Sequence, residues 1–421
     1  MIGAQLQAAM PAPWNELYLW WLGCPESPVR IGVLRFVPSM RGVSLQYDAH
    51  WLAQGFALSE DLPLLNQVFL PLHKDTAAGA VDDARPDRWG ERVIRLLDRP
   101  ARLSLMEYLF LAGDERFGAL GVSLSGDAYQ GRELGPLPHL QDIGILHDLV
   151  KQVMAGEPVR DELKRLIAPG VTMGGARPKA LIELDGQPWV IKFAETGEAQ
   201  DWPLIEHAAM TLAARAGITV APTRALALPR GHALAVQRFD RRVDQAGRPQ
   251  RVHALSAHVA LQAAGEEMGY PELAQLLRRR GVVRDGVSQA QMRELFRRMV
   301  FNILIDNTDD HEKNHVVLMN DRGEYELSPA FDVLPTGQAL GYQQMRVGRD
   351  GAVSSIDNAL SEANQFGLRA QDAQDEVRMV AAVVDGWRDH FVACGVSASD
   401  IDLLAEQIDR PDWASQRTAA R

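Results

Sequence analysis

Cysteine is almost absent from the chain, with only Cys24 and Cys394 among 421 residues. Two cysteines cannot build the disulfide framework of a small secreted domain or a zinc site made of thiolates. Long hydrophobic runs are also missing. The run Leu17–Leu22 is far shorter than the roughly 20 residues needed to cross a bilayer. These absences predict a protein of the reducing cytoplasm with no membrane partner.

Positive charge is in deficit, because the chain has 44 lysines and arginines but 55 aspartates and glutamates. Its formal net charge is −11. Such a surface does not attract nucleic acid over its whole extent, so no direct nucleic-acid partner is expected. The remaining composition is that of an ordinary globular chain long enough for two or three domains. No internal repeat is visible, so function has to be sought in local motifs.

Polar side chains are concentrated in one segment, residues 306–315, which we call the polar loop. It holds four acids, two amides, two histidines and a lysine between two apolar runs. Asp309 and Asn314 have the Asp-x-x-x-x-Asn spacing of a phosphoryl-transfer loop. That spacing alone is weak, because both residue types are common in loops. The preceding helix, predicted over Gln291–Ile305, has an unbroken apolar stripe that would hold the loop rigidly.

A second segment, Thr172–Lys179, reads Thr-Met-Gly-Gly-Ala-Arg-Pro-Lys, and we call it the glycine loop. Small residues let a backbone approach a ligand, and successive N–H groups can cradle a phosphate. The alternative is a plain turn into a strand. The following runs, Ala180–Leu184 and Trp189–Phe193, are joined through Asp185-Gly186, which predicts a β-hairpin.

Two charged residues lie in apolar surroundings after the glycine loop. Lys192 is the one charge on the second strand of the hairpin. A lone lysine usually faces solvent, but this position is also that of the kinase lysine that binds nucleotide phosphates. Glu206 is the one acid inside the predicted helix Leu204–Ala216. It can favour the helix N-terminus through the dipole, hold Lys192, or do both.

The strand predicted over Ala233–Asp240 runs into a charged turn, the place of a kinase hinge. After the polar loop, Val316–Met319 and Tyr325–Leu327 predict a second short hairpin. Asp332 then follows among large apolar residues, where a carboxylate needs a metal or a cation to be buried. The rest is predicted as one long loop and two helical regions, at Gly341–Gln365, Gln371–Cys394 and Ala398–Ile408.

The N-terminal region alternates short apolar runs with turn signals, which predicts a small antiparallel sheet in residues 14–72. The segment Arg85–Arg92 is predicted to open a helix with Pro86 at its first position. A structural cap with a buried Trp89 is favoured there over a substrate- or partner-binding role. Pro136 and Pro138 mark a linker to the next domain.

Together these segments resemble the signature segments of HipA-type kinases, the toxin components of HipBA-like toxin–antitoxin pairs. The resemblance is carried by Thr308–Asn314, Leu327–Leu334, Gly174–Lys179, Val190–Lys192, Val236–Arg241 and Pro86–Gly90. It implies an α+β, two-lobed protein-kinase-like fold with an extra β-rich N-terminal subdomain and an all-helical C-lobe. The implied domains are residues 1–139 (N-terminal subdomain), 140–240 (kinase N-lobe) and 241–421 (C-lobe).

The resemblance also implies ATP and Mg²⁺ as cofactors and gives roles to individual residues. Asp309 would accept the proton of the substrate hydroxyl, while Asn314 and Asp332 would hold Mg²⁺. His311 would either lie beside the transferred phosphate or brace the loop. The implied cofactor-binding residues are Thr172, Gly174, Gly175, Ala176, Lys179, Lys192, Glu206, Gln237 and Phe239.

The implied activity is phosphorylation of a serine or threonine hydroxyl on a protein, with an aminoacyl-tRNA synthetase as the target class and inhibited translation and growth as the result. A HipB-like helix-turn-helix antitoxin is the implied partner. Thr172 occupies the position of the serine that the family autophosphorylates. Arg177-Pro178 stands where the best-known glycine loop of the family has Gln-Glu. Two alternatives stay open, a small-molecule phosphotransferase and a nucleotide-binding module that docks a DNA-binding antitoxin.

Overall fold

The computed structural model describes residues 14–100, 102–170, 175–336, 338 and 340–420. The N-terminal strands are β1 (Glu16–Trp21), β2 (Val29–Val37), β3 (Gly42–Tyr47), β4 (Val68–Phe69) and β5 (Leu120–Ser123). They form one antiparallel sheet in the order β4-β3-β2-β1-β5. The accompanying helices are α1 (Ala49–Gln54), α2 (Arg88–Leu97) and α3 (Leu105–Leu111). The predicted N-terminal sheet is present, and β5 extends it beyond residue 72.

A second antiparallel sheet forms the N-lobe. Its strands are β6 (Lys179–Leu184), β7 (Gln187–Lys192), β8 (Thr223–Ala227) and β9 (His232–Gln237), in the order β6-β7-β9-β8. The N-lobe helices are α4 (Ile143–Ala155), α5 (Asp161–Lys164) and α6 (Trp202–Arg215). Asp185 and Gly186 both have positive φ, 53° and 70°, as a two-residue primed turn requires.

The two faces of the N-lobe sheet bury different partners because side chains alternate along a strand. Ile191 of β7 packs with α2 and α4, whereas Val190 packs on the side of α6. Lys192 lies two residues after Val190 and therefore points to the α6 face. Strand alternation thus directs the one charge of β7 toward the helix that carries Glu206.

The C-lobe strands are β10 (Arg241–Val243), β11 (Pro249–Arg251), β12 (His253–Ser256), β13 (Val316–Met319) and β14 (Tyr325–Leu327). Its helices are α7 (Ala257–Ala264), α8 (Tyr270–Arg280), α9 (Val287–Leu304), α10 (Ile356–Ser361), α11 (Ala370–Val384), α12 (Trp387–Ala393), α13 (Ala398–Ile408) and α14 (Pro411–Ala420). Helix α9 packs against α8 and α11. Its stripe Met292, Leu295, Phe296 and Met299 is buried, which fixes the start of the polar loop.

The predicted two-lobed α+β architecture is present, with three refinements. The C-lobe is helix-rich but not all-helical, because β12 pairs with the predicted hairpin β13–β14 to form a sheet. The expected loop Gly341–Gln365 contains α10, which Ser355 caps by accepting a hydrogen bond from the Asn358 N–H. The region Gln371–Cys394 is divided between α11 and α12 at Asp385 and Gly386.

The predicted domain limits fall between β5 and α4 and between β9 and β10. They remain predictions, because the sheets alone do not fix where one domain ends. Among the described residues, no helix is both long enough and apolar enough to cross a membrane.

Helix α2 joins the N-terminal subdomain to the N-lobe. It begins at Arg88, so Pro86 precedes the helix instead of occupying its first position, and Asp87 caps it by accepting from the Gly90 N–H at 2.9 Å. The buried Trp89 donates its indole N–H to the Lys179 carbonyl at 2.8 Å. The cap with a buried tryptophan, which the sequence favoured, is thus present.

Helix α2 packs closely against Pro169 at Gly90. A Cβ added there would lie 1.9 Å from the carbonyl oxygen of Pro169, a backbone atom that cannot move aside cheaply. Gly90→Ala should therefore lower the free energy of unfolding by about 1–3 kcal/mol. Gly144→Ala is the matched control, since Gly144 lies in α4 with no atom within 4 Å of the added Cβ. It should be neutral or stabilising by up to about 1 kcal/mol. Urea denaturation of both variants measures the difference, and equal midpoints would contradict the close contact.

Candidate active site

A cleft of about 810 Å³ opens between the N-terminal subdomain, the N-lobe and the C-lobe, a volume in the range of small-molecule sites. The predicted site residues Gly175, Ala176, Asp309, His311 and Asp332 line it. The glycine loop, the polar loop and the segment around Asp332 therefore meet in one place, although more than 150 positions separate the first from the last.

Lys192 is the centre of the charged network behind this cleft. Its Nζ lies 2.5 Å from Glu206 Oε1 on α6 and 2.5 Å from Asp332 Oδ1 in the C-lobe. The Lys192 and Glu206 side chains are each only 2% exposed. One ammonium group thus bridges both lobes, and the predicted pairing of Lys192 with Glu206 is seen in the geometry.

Burial and charge act against each other on these three groups. Burial lowers the pKa of Lys192, but the charges of Asp332 and Glu206 outweigh it, so the pKa is raised. Burial would raise the pKa of Asp332, yet Lys192 holds it below the ordinary value. Burial raises the pKa of Glu206, Lys192 opposes the effect, and Asp332 adds to it. The lysine therefore stays protonated while it faces two acids.

Asp332 has a backbone conformation that few residues other than glycine adopt. Its φ is 59°, in the left-handed region that glycine adopts readily and that aspartate and asparagine adopt more often than most other residues. The conformation aims the carboxylate at Lys192 and at the cleft. Such strain persists where the surroundings fix it, typically at functional sites.

The polar loop presents Asp309 to the cleft and folds the next residues into a single 3₁₀ turn, Glu312–Asn314. His311 caps this turn, because its Nδ1 accepts from the Lys313 N–H at 3.3 Å. The buried Asn314 donates its side-chain N–H to the Asp309 carbonyl at 3.4 Å. His311 therefore braces the loop, and it also lines the cleft where a phosphate contact would occur.

A buried hydrogen-bond network under the polar loop was not predicted from the sequence. Asp310 accepts from the Tyr270 hydroxyl, and His315 Nε2 lies 2.8 Å from the same carboxylate. Asn302 donates to Tyr270 at 3.3 Å and accepts from Asn307 at 3.1 Å. These side chains fix the loop from below, but nothing in their spacing along the chain signals that they meet.

The glycine loop is attached to the N-terminal subdomain through Lys179. This lysine is completely buried, and its Nζ lies 2.5 Å from Asp87 Oδ2 and 2.5 Å from the Gly175 carbonyl. It anchors the loop to two residues that line the cleft, Asp87 and Gly175, and its binding of the cofactor stays a prediction. Thr172 and Gly174 lie outside the described residues.

The hinge residues differ in how they approach the cleft. The backbone N–H of Gln237 donates to the Pro222 carbonyl at 2.9 Å. The Gln237 side chain is not among those that line the cleft. Phe239 packs against Phe117 and Phe331, with ring centroids 5.6 and 5.5 Å away, and both partners line the cleft. Phe117 and Phe331 thus form an apolar part of the cleft wall, and Phe239 packs behind them.

Immediately after the hinge, a buried ion cluster joins the N-terminal subdomain. Asp240 accepts from Arg238 at 2.7 Å, from Arg241 at 2.6 Å and from the Gly118 N–H at 2.8 Å. Burial would raise the pKa of Asp240, but the two arginines outweigh it and hold the pKa at about 2. Both arginines also donate to the Arg116 carbonyl. The hinge is therefore fixed against the N-terminal subdomain.

The fold and the site together define the class of the protein. A buried lysine paired with a helix glutamate, an Asp-x-x-x-x-Asn loop and a following aspartate converge between a sheet-containing lobe and a helix-rich lobe. This is a protein-kinase-like fold.

Within that class the sequence belongs to one family. The profile of the HipA-like C-terminal domain matches residues 171–387, and the profile of the HipA N-terminal domain matches residues 27–123. The first match alone covers more than half of the chain, so the chain belongs to the HipA family of kinases. The resemblance stated from the motifs is confirmed.

Individual proteins and solved structures are similar to this chain to different degrees. Y4mE, a candidate kinase of Sinorhizobium fredii (strain NBRC 101917 / NGR234), is 26% identical over 257 residues, which span 53% of this chain and 57% of that protein. The HipA of Shewanella oneidensis MR-1, solved with HipB and operator DNA, has the same fold, with a TM-score of 0.64 and 17% identity over 96% of both chains. The Helicobacter pylori kinase CtkA is more distant, with a TM-score of 0.42 and 14% identity over 60% of this chain and 94% of its own.

The ion cluster at the hinge should make the free energy of unfolding depend on pH in acidic solution. The pKa of Asp240 is about 2 in the folded protein and about 3.9 when the chain is unfolded. Its stabilising contribution is therefore complete above pH 4 and is lost as the pH falls toward 2. At pH 7, Asp240→Asn should lower the free energy of unfolding by about 3–5 kcal/mol, because the buried Arg238 and the largely buried Arg241 lose their shared carboxylate.

The difference from wild type should shrink between pH 4 and pH 2, as followed by urea midpoints across that range. Asp127→Asn, the same change at an exposed residue, is the control and should match wild type throughout. A pH-independent effect of Asp240→Asn would contradict the assigned role.

Proposed function

We propose that this chain is an ATP- and Mg²⁺-dependent serine/threonine protein kinase of the HipA type that works in the cytoplasm. The single observation that supports it best is the Lys192 ammonium bridging Glu206 and Asp332 behind a cleft that opens on Asp309. A buried cation held between two lobes is suited to the phosphates of a nucleotide. The glycine loop at the same cleft supports the same assignment.

The donor set fits a magnesium ion bound together with a nucleotide. Among the described residues no three His, Cys, Asp or Glu side chains converge as a complete metal site. Magnesium is commonly held by one or two carboxylates and completed by phosphates and water, which Asp332 and Asn314 could do. When bound, the metal would neutralise phosphate charge during transfer. Lys192 would bind the phosphates opposite it, and Glu206 would keep the lysine in place.

Asp309 is the proposed base for the substrate hydroxyl. Partial burial raises the pKa of its carboxyl, His311 opposes this, and the charge of Asp332 adds to it. A raised pKa makes the Asp309 carboxylate a better proton acceptor. Phosphoryl transfer depends more on positioning and charge neutralisation than on covalent help, and the braced polar loop supplies the positioning.

The proposed partner is a HipB-like helix-turn-helix antitoxin, because the related Shewanella HipA was solved with HipB and operator DNA. The net charge of −11 supports leaving DNA contacts to that partner. The target class that the family suggests is an aminoacyl-tRNA synthetase, whose phosphorylation would inhibit translation and growth. A small-molecule phosphotransferase and a non-catalytic nucleotide-binding module are the outcomes that would replace this proposal.

Replacing the base provides the direct test. Asp309→Asn keeps the size of the side chain and removes its ability to accept a proton, so kinase activity should fall by at least about 10²-fold. Purified protein is incubated with Mg²⁺ and γ-labelled ATP, alone and with a bacterial lysate, and label on protein is counted. Asp321→Asn, the same substitution in the exposed turn between β13 and β14, should retain wild-type labelling.

Each alternative gives a different pattern in this assay. Label on metabolites without label on protein would replace the proposal with a small-molecule phosphotransferase. Nucleotide binding without any turnover would indicate a binding module. Undiminished protein labelling by Asp309→Asn would remove Asp309 from its assigned role.

Autophosphorylation is proposed at Thr172. A phosphate there would add about −1.5 to −2 charges to the glycine loop. The described part of this loop, Gly175 and Ala176, lines the cleft with Asp309 and Asp332, and repulsion should displace the loop. Thr172→Ala should therefore abolish self-labelling while labelling of other proteins persists or rises, as read by phosphopeptide mass spectrometry and filter counting. Thr172→Ser is the matched control and should restore self-labelling. A phosphopeptide that maps elsewhere would contradict the assignment.

A further inference from the structure

The start of the polar loop is a second strained aspartate. Asp306 is completely buried and has a φ of 59°, so the chain leaves α9 through the left-handed region. Its carbonyl accepts from the Thr336 N–H at 3.2 Å and from the Thr336 hydroxyl at 3.0 Å. Thr308 donates its N–H to the same hydroxyl at 3.1 Å. Asp306 therefore fixes the polar loop to the segment that follows Asp332.

The C-terminal region reaches back to this point. Arg410 Nη2 donates to Asp306 Oδ1 at 2.9 Å, and its guanidinium lies over the Trp413 ring at 4.2 Å from the centroid. The buried Trp413 donates its indole N–H to the Ile303 carbonyl at 2.7 Å, one of the last carbonyls of α9. The two side chains contact the end of α9 and the first residue of the polar loop.

Helix α14, which carries Trp413, is itself held firmly. The buried Arg417 donates to the Ile408 carbonyl at 2.6 Å and to Asp385 at 2.9 Å. Gln416 accepts from the Ile356 N–H at 2.8 Å. The helix is thus attached to α10, α13 and the end of α11, so it can hold the polar loop against displacement.

We propose that Arg410, supported by Trp413, is a positioning residue for phosphoryl transfer. The inference rests on the proposed kinase function. Both residues lie beyond residue 387, where the family's domain match ends, so they add an element that the matched domain does not contain. Arg410 neutralises the buried carboxylate of Asp306, and this keeps the left-handed turn that sets the direction of Asp309 and Asn314 three to eight residues later.

The consequence for catalysis is specific. A shift of the polar loop by about 1 Å can cost on the order of 10²-fold in rate, because the reacting atoms lose their alignment. Nucleotide binding should change less than the rate of transfer. Lys192 and Glu206 belong to the N-lobe and do not contact Arg410, and only Asn314 links the polar loop to the metal of the nucleotide. Loss of Arg410 should therefore lower kcat by a larger factor than it raises KM for ATP.

The experiment compares Arg410→Ala with a closely matched variant, Arg388→Ala. Arg388 likewise pairs with an aspartate, Asp409 at 2.7 Å, and lies over a tryptophan ring, that of Trp387 at 5.3 Å. It does not contact the polar loop. Arg410→Ala should reduce kcat by about 10- to 100-fold, and Arg388→Ala should leave kcat within twofold of wild type. Arg410→Lys keeps the charge and should restore part of the loss.

Amide hydrogen exchange supplies a readout that does not need turnover. In Arg410→Ala, residues 304–314 should exchange faster while the N-lobe strands β6 and β7 keep their protection. If wild type shows no phosphoryl transfer, the proposed function fails and the exchange result still tests the positioning role.

Several results would overturn the inference. They are an unchanged kcat in Arg410→Ala, a rise in KM for ATP without loss of kcat, equal losses in Arg410→Ala and Arg388→Ala, and faster exchange throughout the chain. The last result would mean that Arg410 supports global stability instead of the loop. Trp413→Phe, which keeps an aromatic ring for Arg410 and removes the donor to Ile303, offers a milder variant if Arg410→Ala does not fold.

Discussion

The site depends on one ammonium group shared by two carboxylates. Lys192 reaches Glu206 because strand alternation turns it to the α6 face, and it reaches Asp332 because that residue takes a left-handed conformation. Asp332 lies close to Glu206, and its charge adds to the raised pKa of Glu206. A further cation beside the two carboxyl groups would relieve this repulsion, which makes this part of the cleft suited to a metal ion that arrives with phosphate groups.

The N-terminal subdomain also helps to hold the site in place. Asp83, in the 3₁₀ helix Gly79–Ala84, accepts from the Ser256 N–H and hydroxyl, both at 2.7 Å, at the start of α7. Asp87 pairs with Lys179 under the glycine loop, and Asp240 with its arginines joins the hinge. The subdomain therefore contacts each lobe through hydrogen bonds or ion pairs, and it forms a fixed wall of the cleft. This explains why the motif Pro86–Gly90 is adjacent to the site despite its distance in sequence.

The structural features predicted correctly from sequence patterns are those that depend mainly on residues close together in the chain. Hairpin β6–β7 follows from Asp185-Gly186, and the buried stripe of α9 follows from its periodicity. The pairing of Lys192 with Glu206 was predictable because both are lone charges on apolar elements. The burial of Lys179 and the network of Tyr270 with Asp310 were not, because each depends on which distant segment lies opposite. The position of Lys179 beside the glycine loop predicts a role in cofactor binding, but its ion pair with Asp87 depends on tertiary packing that the local sequence does not show.

Two aspartates, Asp306 and Asp332, show why the sequence motif alone does not determine the geometry of the site. Each has a φ of 59°, and each strained conformation costs on the order of 1 kcal/mol or more that the surroundings must offset. In both cases the carboxylate bonds a cation from a remote part of the chain, Arg410 for the first and Lys192 for the second. The polar loop and the segment after it thus take their geometry from charges supplied by the N-lobe and the C-terminal region. A chain with the same motif but without those cations would keep the residues of the site and lose their arrangement.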